Sequence, residues 1–118
     1  MLSCREKVTV IEPEHIRKEL VRTASEIAEK YILKAIQSSC IFEINTGAIA
    51  RGLRTTVYPF ENLLHILRKE NAPIILSSDS HSIDTLDFRF DETKKYLKDI
   101  GFNKITALVD NAFKEFNL

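Results

Sequence analysis

The chain has no tryptophan, only three glycines, three prolines and two cysteines in 118 residues, and no excess of charge, 17 Lys and Arg against 17 Asp and Glu. Each scarcity excludes something. So little Gly and Pro rules out collagen-like and low-complexity chains. Cys4 and Cys40 form neither a CxxC pair nor a disulfide framework, so both are expected as thiols of a reducing compartment. Cys40, at the edge of an apolar run, is expected as a buried small hydrophobe. Zero net charge removes the electrostatic footprint of a nucleic-acid binder, although a local basic pair can still hold a small anion. No apolar run approaches the roughly 20 residues of a membrane span, and the opening Met1–Lys7 lacks the apolar core of a signal peptide. The expectation is a cytoplasmic protein with neither nucleic acid nor membrane as partner.

What remains is an ordinary globular composition, 44% hydrophobic and 29% charged, long enough for one domain with a real core. Residues 1–12 are the least readable; Val8, Val10 and Ile11 suggest a short extended piece. Pro13 suits the first turn of a helix, with Glu12 and Glu14 near the positive end of its dipole. From there Ile16, Leu20, Ala24, Ile27, Ala28, Tyr31 and Ala35 recur at three- and four-residue spacing. That pattern predicts a long amphipathic helix over 13–38.

The segment 40–118 reads as β/α units. Cys40–Thr46 is the first strand, its alternation setting Ile41, Glu43 and Asn45 against Cys40, Phe42 and Ile44. A carboxylate and an amide on one face of an apolar strand are costly unless hydrogen-bonded. The strand therefore either shows that face to water at a sheet edge or points Glu43 and Asn45 into a polar cavity. Residues 47–59 are expected as a loop carrying Arg51 and Arg54, whose planar forks suit phosphate. Pro59 opens a helix with Leu63, Leu64 and Leu67 as its buried stripe and His65 as a packing residue. Asn71-Ala72-Pro73 stops it.

The aliphatic run after Pro73 is a second strand, and it ends in Ser77-Ser78-Asp79-Ser80-His81. Ligands and catalytic groups collect at the carboxyl ends of strands in α/β folds. Asp79 and His81, two residues apart, can converge on one cation; equally, Ser and Asp are ordinary turn and cap residues. A polar connection follows, then a helix over about 89–99 closed by Gly101, a third strand at Lys104–Val109, and a short terminal helix capped by Asp110 and Asn111. Alternating elements of this kind imply an α/β fold with parallel strands and right-handed crossovers.

One ordered set of residues resembles a known family. Ile41-Phe42-Glu43-Ile44-Asn45-Thr46-Gly47, Arg51-Gly52, Tyr58-Pro59, Ser78-Asp79-Ser80-His81 and Gly101-Phe102 occur in the order found in the C-terminal part of PHP-domain phosphoesterases of the histidinol-phosphatase branch. The resemblance covers about residues 31–110. It implies a distorted β/α barrel, here a partial, parallel-stranded barrel with a long N-terminal helix, and an enzyme that removes phosphate from L-histidinol phosphate in histidine biosynthesis. It also implies divalent metals (Zn, Mn or Fe), with Asp79 and His81 as catalytic residues matching the last metal-binding motif. Arg51 and Arg54 become the candidates for the phosphate, and Asn45 and Glu43 line the pocket.

The departures are as informative. The family's early His-x-His and its further His and Glu ligands have no counterpart here, and His15 and His65 lie outside its motifs. A catalytic zinc takes three protein ligands, and a closed barrel typically takes about 250 residues. The expectation is a single truncated domain over 1–118, inactive alone and without bound metal, whose small phosphorylated substrate belongs to the intact enzyme. Such a half barrel leaves strand edges open, so a missing N-terminal half or self-association would supply its partner. Two alternatives stay open: a non-catalytic oligomerising or ligand-binding module, and a different small α/β domain in which Ser-Asp-Ser-His is a turn.

Overall fold

The computed structural model describes residues 13–118. The extended piece expected at Val8, Val10 and Ile11 lies outside the described residues, as does Cys4. The order is α1 (Pro13–Gln37), β1 (Phe42–Asn45), α2 (Gly47–Ala50), α3 (Glu61–Lys69), β2 (Ile74–Ser77), a 3₁₀ turn (Ile83–Thr85), α4 (Phe90–Ile100), β3 (Lys104–Val109) and β4 (Ala112–Asn117). The strands form one open sheet in the order β1-β2-β3-β4. Pairs β1/β2 and β2/β3 are parallel and β3/β4 is antiparallel. The sheet is mixed and does not close.

Two units of β-α-β carry the core. In β1 and β2, Phe42 pairs with Ile74 and Ile44 with Leu76, and these side chains face the helices. Ile44 and Ile74 are fully buried against Leu64 and Leu67 of α3, Leu97 of α4 and Phe102. The leucine stripe predicted for α3 is therefore the packed face. Gly101 ends α4 at φ 109°, a left-handed value that only glycine adopts freely, and its amide bonds back to the Leu97 and Lys98 carbonyls.

The opposite face of the sheet carries Glu43, Asn45, Ile75 and Ser77, in register with one another, and Thr106 beside Ile75. With strands in sequential order and right-handed crossovers, both helices fall on one side. Among the described residues no helix covers the other side: Leu108 and Phe113, paired across β3 and β4, remain about 60% exposed.

Four expectations are corrected. The short terminal helix expected after Asp110 and Asn111 is strand β4. Asp110 and Asn111 both have positive φ, 52° and 60°, which makes them the central pair of a tight hairpin turn rather than a helix cap. Asp and Asn tolerate that conformation better than most residues. As a consequence the strands are not all parallel. Cys40 is exposed, not buried, because β1 begins two residues later at Phe42. The loop after β1 holds one helical turn, Gly47–Ala50.

The long helix forms as predicted but its stripe does not pack. No residue of α1 is buried. Ile32 and Ile36 lie against the core, while Ile16, Leu20, Ile27 and Tyr31 are exposed.

Candidate functional site

Four of the residues singled out by sequence meet where β1 and β2 end. Asn45 closes β1 and makes two local bonds: its Nδ2 donates to Glu43 Oε1 at 3.2 Å, and its Oδ1 accepts from the Gly47 amide at 2.7 Å. The second bond is an Asx turn that starts α2. Its backbone is also bridged to Tyr58 in both directions, Asn45 N–H to the Tyr58 carbonyl at 2.9 Å and the reverse at 3.0 Å. The amide side chain is thus held from both sides. Glu43 stays exposed at the surface of the open sheet face.

Gly47 lets β1 and β2 approach. The residue is buried, and a Cβ there would collide with the Ser78 carbonyl and lie 3.0 Å from both Arg51 Nη1 and Asn45 Oδ1. Thr46 ties the same point to β2, its amide donating to the Ser77 carbonyl at 2.9 Å. Arg51, one turn on at the end of α2, reaches across to Asp79, with Nη1 3.8 Å from Oδ2. Both side chains are about half exposed, so water screens the pair and it adds little to stability.

Asp79 sits in the left-handed region, φ 46°, directly after β2. Its amide donates to Ser77 Oγ at 3.3 Å. The neighbouring serines fix the loop: Ser78 Oγ donates to the Leu86 carbonyl at 2.7 Å, and Ser80 Oγ lies 2.7 Å from Thr85 Oγ1. Ser-Asp-Ser-His is therefore an organised turn in which the serines bond inward and the Asp79 carboxylate stays free to meet Arg51. His81 follows on the exposed side of the loop and joins none of the side-chain hydrogen bonds or ion pairs among the described residues.

The two arginines separate. Arg54 stacks on Tyr58 and Phe60, 3.9 Å and 4.1 Å from the ring centroids, and donates from Nη2 to Thr56 Oγ1 at 3.0 Å. Its charge is held against the rings; that of Arg51 points at Asp79. Gly47 and Ser78 are the residues whose importance to the site's geometry the sequence left implicit. Their signal was present in Asn-Thr-Gly and Ser-Ser-Asp, each a small residue at a strand end.

His65, expected as a packing residue, is instead exposed on α3 with Nε2 3.5 Å from Glu61 Oε1, far in sequence from the other donors. Among the described residues no group of three or more His, Cys, Asp and Glu side chains is placed to hold a metal ion. Asp79 and His81 make two donors, and a catalytic zinc needs three from protein. The described residues do not by themselves fit a metal centre.

Arg51 presents its guanidinium fork at the exposed rim of the site, and its present partner is a solvent-screened carboxylate. No helix of the described residues is long and apolar enough to cross a membrane.

No family model matches the chain. It is 31% identical over 83 residues to a protein of Schizosaccharomyces pombe named "Probable histidinol-phosphatase". The match takes in 70% of this chain and 27% of that relative, so the chain spans about a quarter of the length of the curated protein it matches. The two are distantly related over that segment.

Proposed function

We propose that this chain is the C-terminal portion of a histidinol-phosphatase-like phosphomonoesterase of the PHP type, an enzyme hydrolysing L-histidinol phosphate to L-histidinol and phosphate. The observation that carries the reading is the conjunction of the 31% match with Glu43, Asn45, Arg51 and Asp79 gathered at the ends of β1 and β2. Strand ends are where α/β barrels keep their chemistry. In this reading Arg51 binds the phosphate through its guanidinium fork, taking it in place of Asp79. Glu43 and Asn45 line the wall of the pocket on the open sheet face. Asp79 and His81 are the chain's share of a metal-ligand set whose other members come from elsewhere, with Zn, Mn or Fe as the metal.

The isolated chain is then inactive, because two donors do not make a centre. Assayed with L-histidinol phosphate and Mn or Zn, it is expected to give no turnover above the metal blank; turnover like that of an intact phosphatase would overturn the reading of it as a part. Phosphate binding tests the site directly. Titration with inorganic phosphate, followed by amide chemical shifts, is expected to move Gly47, Arg51 and Ser78. Arg51→Ala removes the response and Arg54→Ala leaves most of it, since Arg54 is engaged by Tyr58 and Phe60. An unchanged response in Arg51→Ala would move the anion site away from this loop.

A second reading, a non-catalytic assembly module, is favoured by one observation: the uncovered apolar stripe of α1.

A further inference from the structure

The 25 residues of α1 extend about 37 Å, and its two apolar sides have different fates. One side, with Ala28, Ile32 and Ile36, turns toward the body and is partly covered. The other carries Ile16, Leu20, Ala24, Ile27 and Tyr31, all exposed. At 3.6 residues per turn these two sides lie roughly a quarter turn apart, so the body does not roof the second one even where α1 touches it. Among the described residues α1 is held only at its C-terminal end, and a helix so held is marginal over its first turns unless its apolar stripe is covered.

The stripe is its own complement. Ile16, Leu20, Ala24, Ile27, Tyr31 and Ala35 are spaced by four, four, three, four and four residues, a sequence that reads the same from either end. Laid antiparallel on itself about its midpoint, the helix sets Ile16 opposite Ala35, Leu20 opposite Tyr31 and Ala24 opposite Ile27. Ala24 and Ala35 each face a β-branched residue, which lets the backbones approach. A two-fold axis requires such self-complementarity, each residue meeting a partner that meets it in return.

The charges agree with that register. Glu19, Lys30 and Lys34 share one flank of the stripe. In an antiparallel pair related by a two-fold axis each flank meets the same flank of the other helix. Glu19 then falls level with the gap between the partner's Lys30 and the partner's Lys34, twice by symmetry. Among the described residues the Glu19 carboxylate meets only Arg22, at 3.6 Å on the exposed surface. The other flank carries Val21 and Ala28, which extend the apolar seam toward the body, together with Arg17 one turn before Val21.

We propose that α1 is a homodimerisation helix: two copies of this chain pair antiparallel through the Ile16–Ala35 stripe. The seam is about 30 Å long, a single helix pair below the size of a standard interface, so the exchange is between monomer and dimer at micromolar concentrations. The proposal does not depend on the phosphatase reading.

Sedimentation velocity of the full chain over a wide concentration range tests it. The expected result is a concentration-dependent rise from 13.6 kDa to twice that mass. Leu20→Glu and Ile27→Glu are each expected to weaken the dimer at least tenfold while leaving the circular dichroism of the monomer unchanged, because both side chains are already exposed. Glu19→Lys weakens it less, and mixing Glu19→Lys with a Lys30→Glu, Lys34→Glu chain restores it. Orientation is read by cross-linking in a background with Cys4 and Cys40 replaced by Ser. Ala24→Cys mixed with Ile27→Cys forms the mixed disulfide in preference to either homodisulfide. A monomer at every concentration, a dimer indifferent to Leu20→Glu and Ile27→Glu, or preferred Ala24→Cys homodisulfides would each overturn the proposal.

Discussion

The two faces of the sheet are made by the same strands and behave as different materials. On the helical face the inward residues of β1 and β2 are aliphatic, and Ile44 and Ile74 are at most 1% exposed beneath Leu64, Leu67 and Leu97. On the open face the same two strands present Glu43, Asn45, Ile75 and Ser77. Parallel strands are ordinarily covered on both sides; here one side is covered and the other alternates polar and apolar groups. The difference follows from period-two alternation in the sequence combined with crossovers that put both helices on one side. Stability accumulates on the first face. The residues with chemistry to offer are on the second or at its upper rim.

The comparison breaks most sharply under truncation of one leucine from each side. Leu67→Ala removes a side chain with no exposed surface and leaves a cavity among residues that cannot fully collapse; a loss of about 2–5 kcal/mol is expected. Leu108→Ala, on the open face and 59% exposed, is expected to stay within about 0.5 kcal/mol. Urea unfolding of both variants checks this. A large loss in Leu108→Ala would mean that the open face is covered in solution.

A smaller effect is expected where the two faces join the site. Gly47→Ala pushes a methyl group into the Ser78 carbonyl, backbone against backbone, with Arg51 and Asn45 also in contact range. Separation of β1 from β2 at their ends is expected to cost about 1–3 kcal/mol and to abolish the amide response to phosphate. Gly52→Ala is the control: nothing lies within 4 Å of its added Cβ, and only its φ of 69° opposes the change. About 1 kcal/mol is expected there, with phosphate binding retained. Equal effects at the two glycines would show that the close approach at Gly47 is not what sets the site.

Much of this was legible in the chain, for reasons that can be named. Strong periodicity wrote out α1, the leucine stripe of α3 and the strand Lys104–Val109, and the alternation in β1 correctly opposed Glu43 and Asn45 to Phe42 and Ile44. The terminal helix failed because Phe113 and Phe116 have helical spacing and Asp110-Asn111 is a good cap pair; only two positive φ values distinguish a hairpin from a cap. Pattern also says that α1 has an apolar stripe but not what lies against it. At the site, residue types at strand ends were readable. The sorting of Arg51 toward Asp79 and of Arg54 onto Tyr58 and Phe60 was not, since it depends on where the loop carries each guanidinium.

The helical face holds one further polar contact, and it tunes the same contrast by a smaller amount. Tyr96 of α4 packs at the edge of the core near Glu61 in the first turn of α3. Its hydroxyl is held above the ordinary tyrosine value of 10.0, first by desolvation and then by the negative charge and hydrogen bonding of Glu61. Well below pH 10.0 the phenol is protonated in both the folded and unfolded chain and contributes no pH dependence. As pH rises through the unfolded value, the unfolded chain releases this proton while the folded chain retains it, so stability falls. The decline continues until the folded chain also ionises. Tyr96→Phe is therefore expected to flatten the loss of stability above pH 10.0, measured by urea midpoints across the alkaline range. Glu61→Gln leaves the desolvation and takes away the charge, so it is expected to flatten the same slope only in part. A slope unchanged in both variants would mean that Tyr96 does not set the alkaline sensitivity.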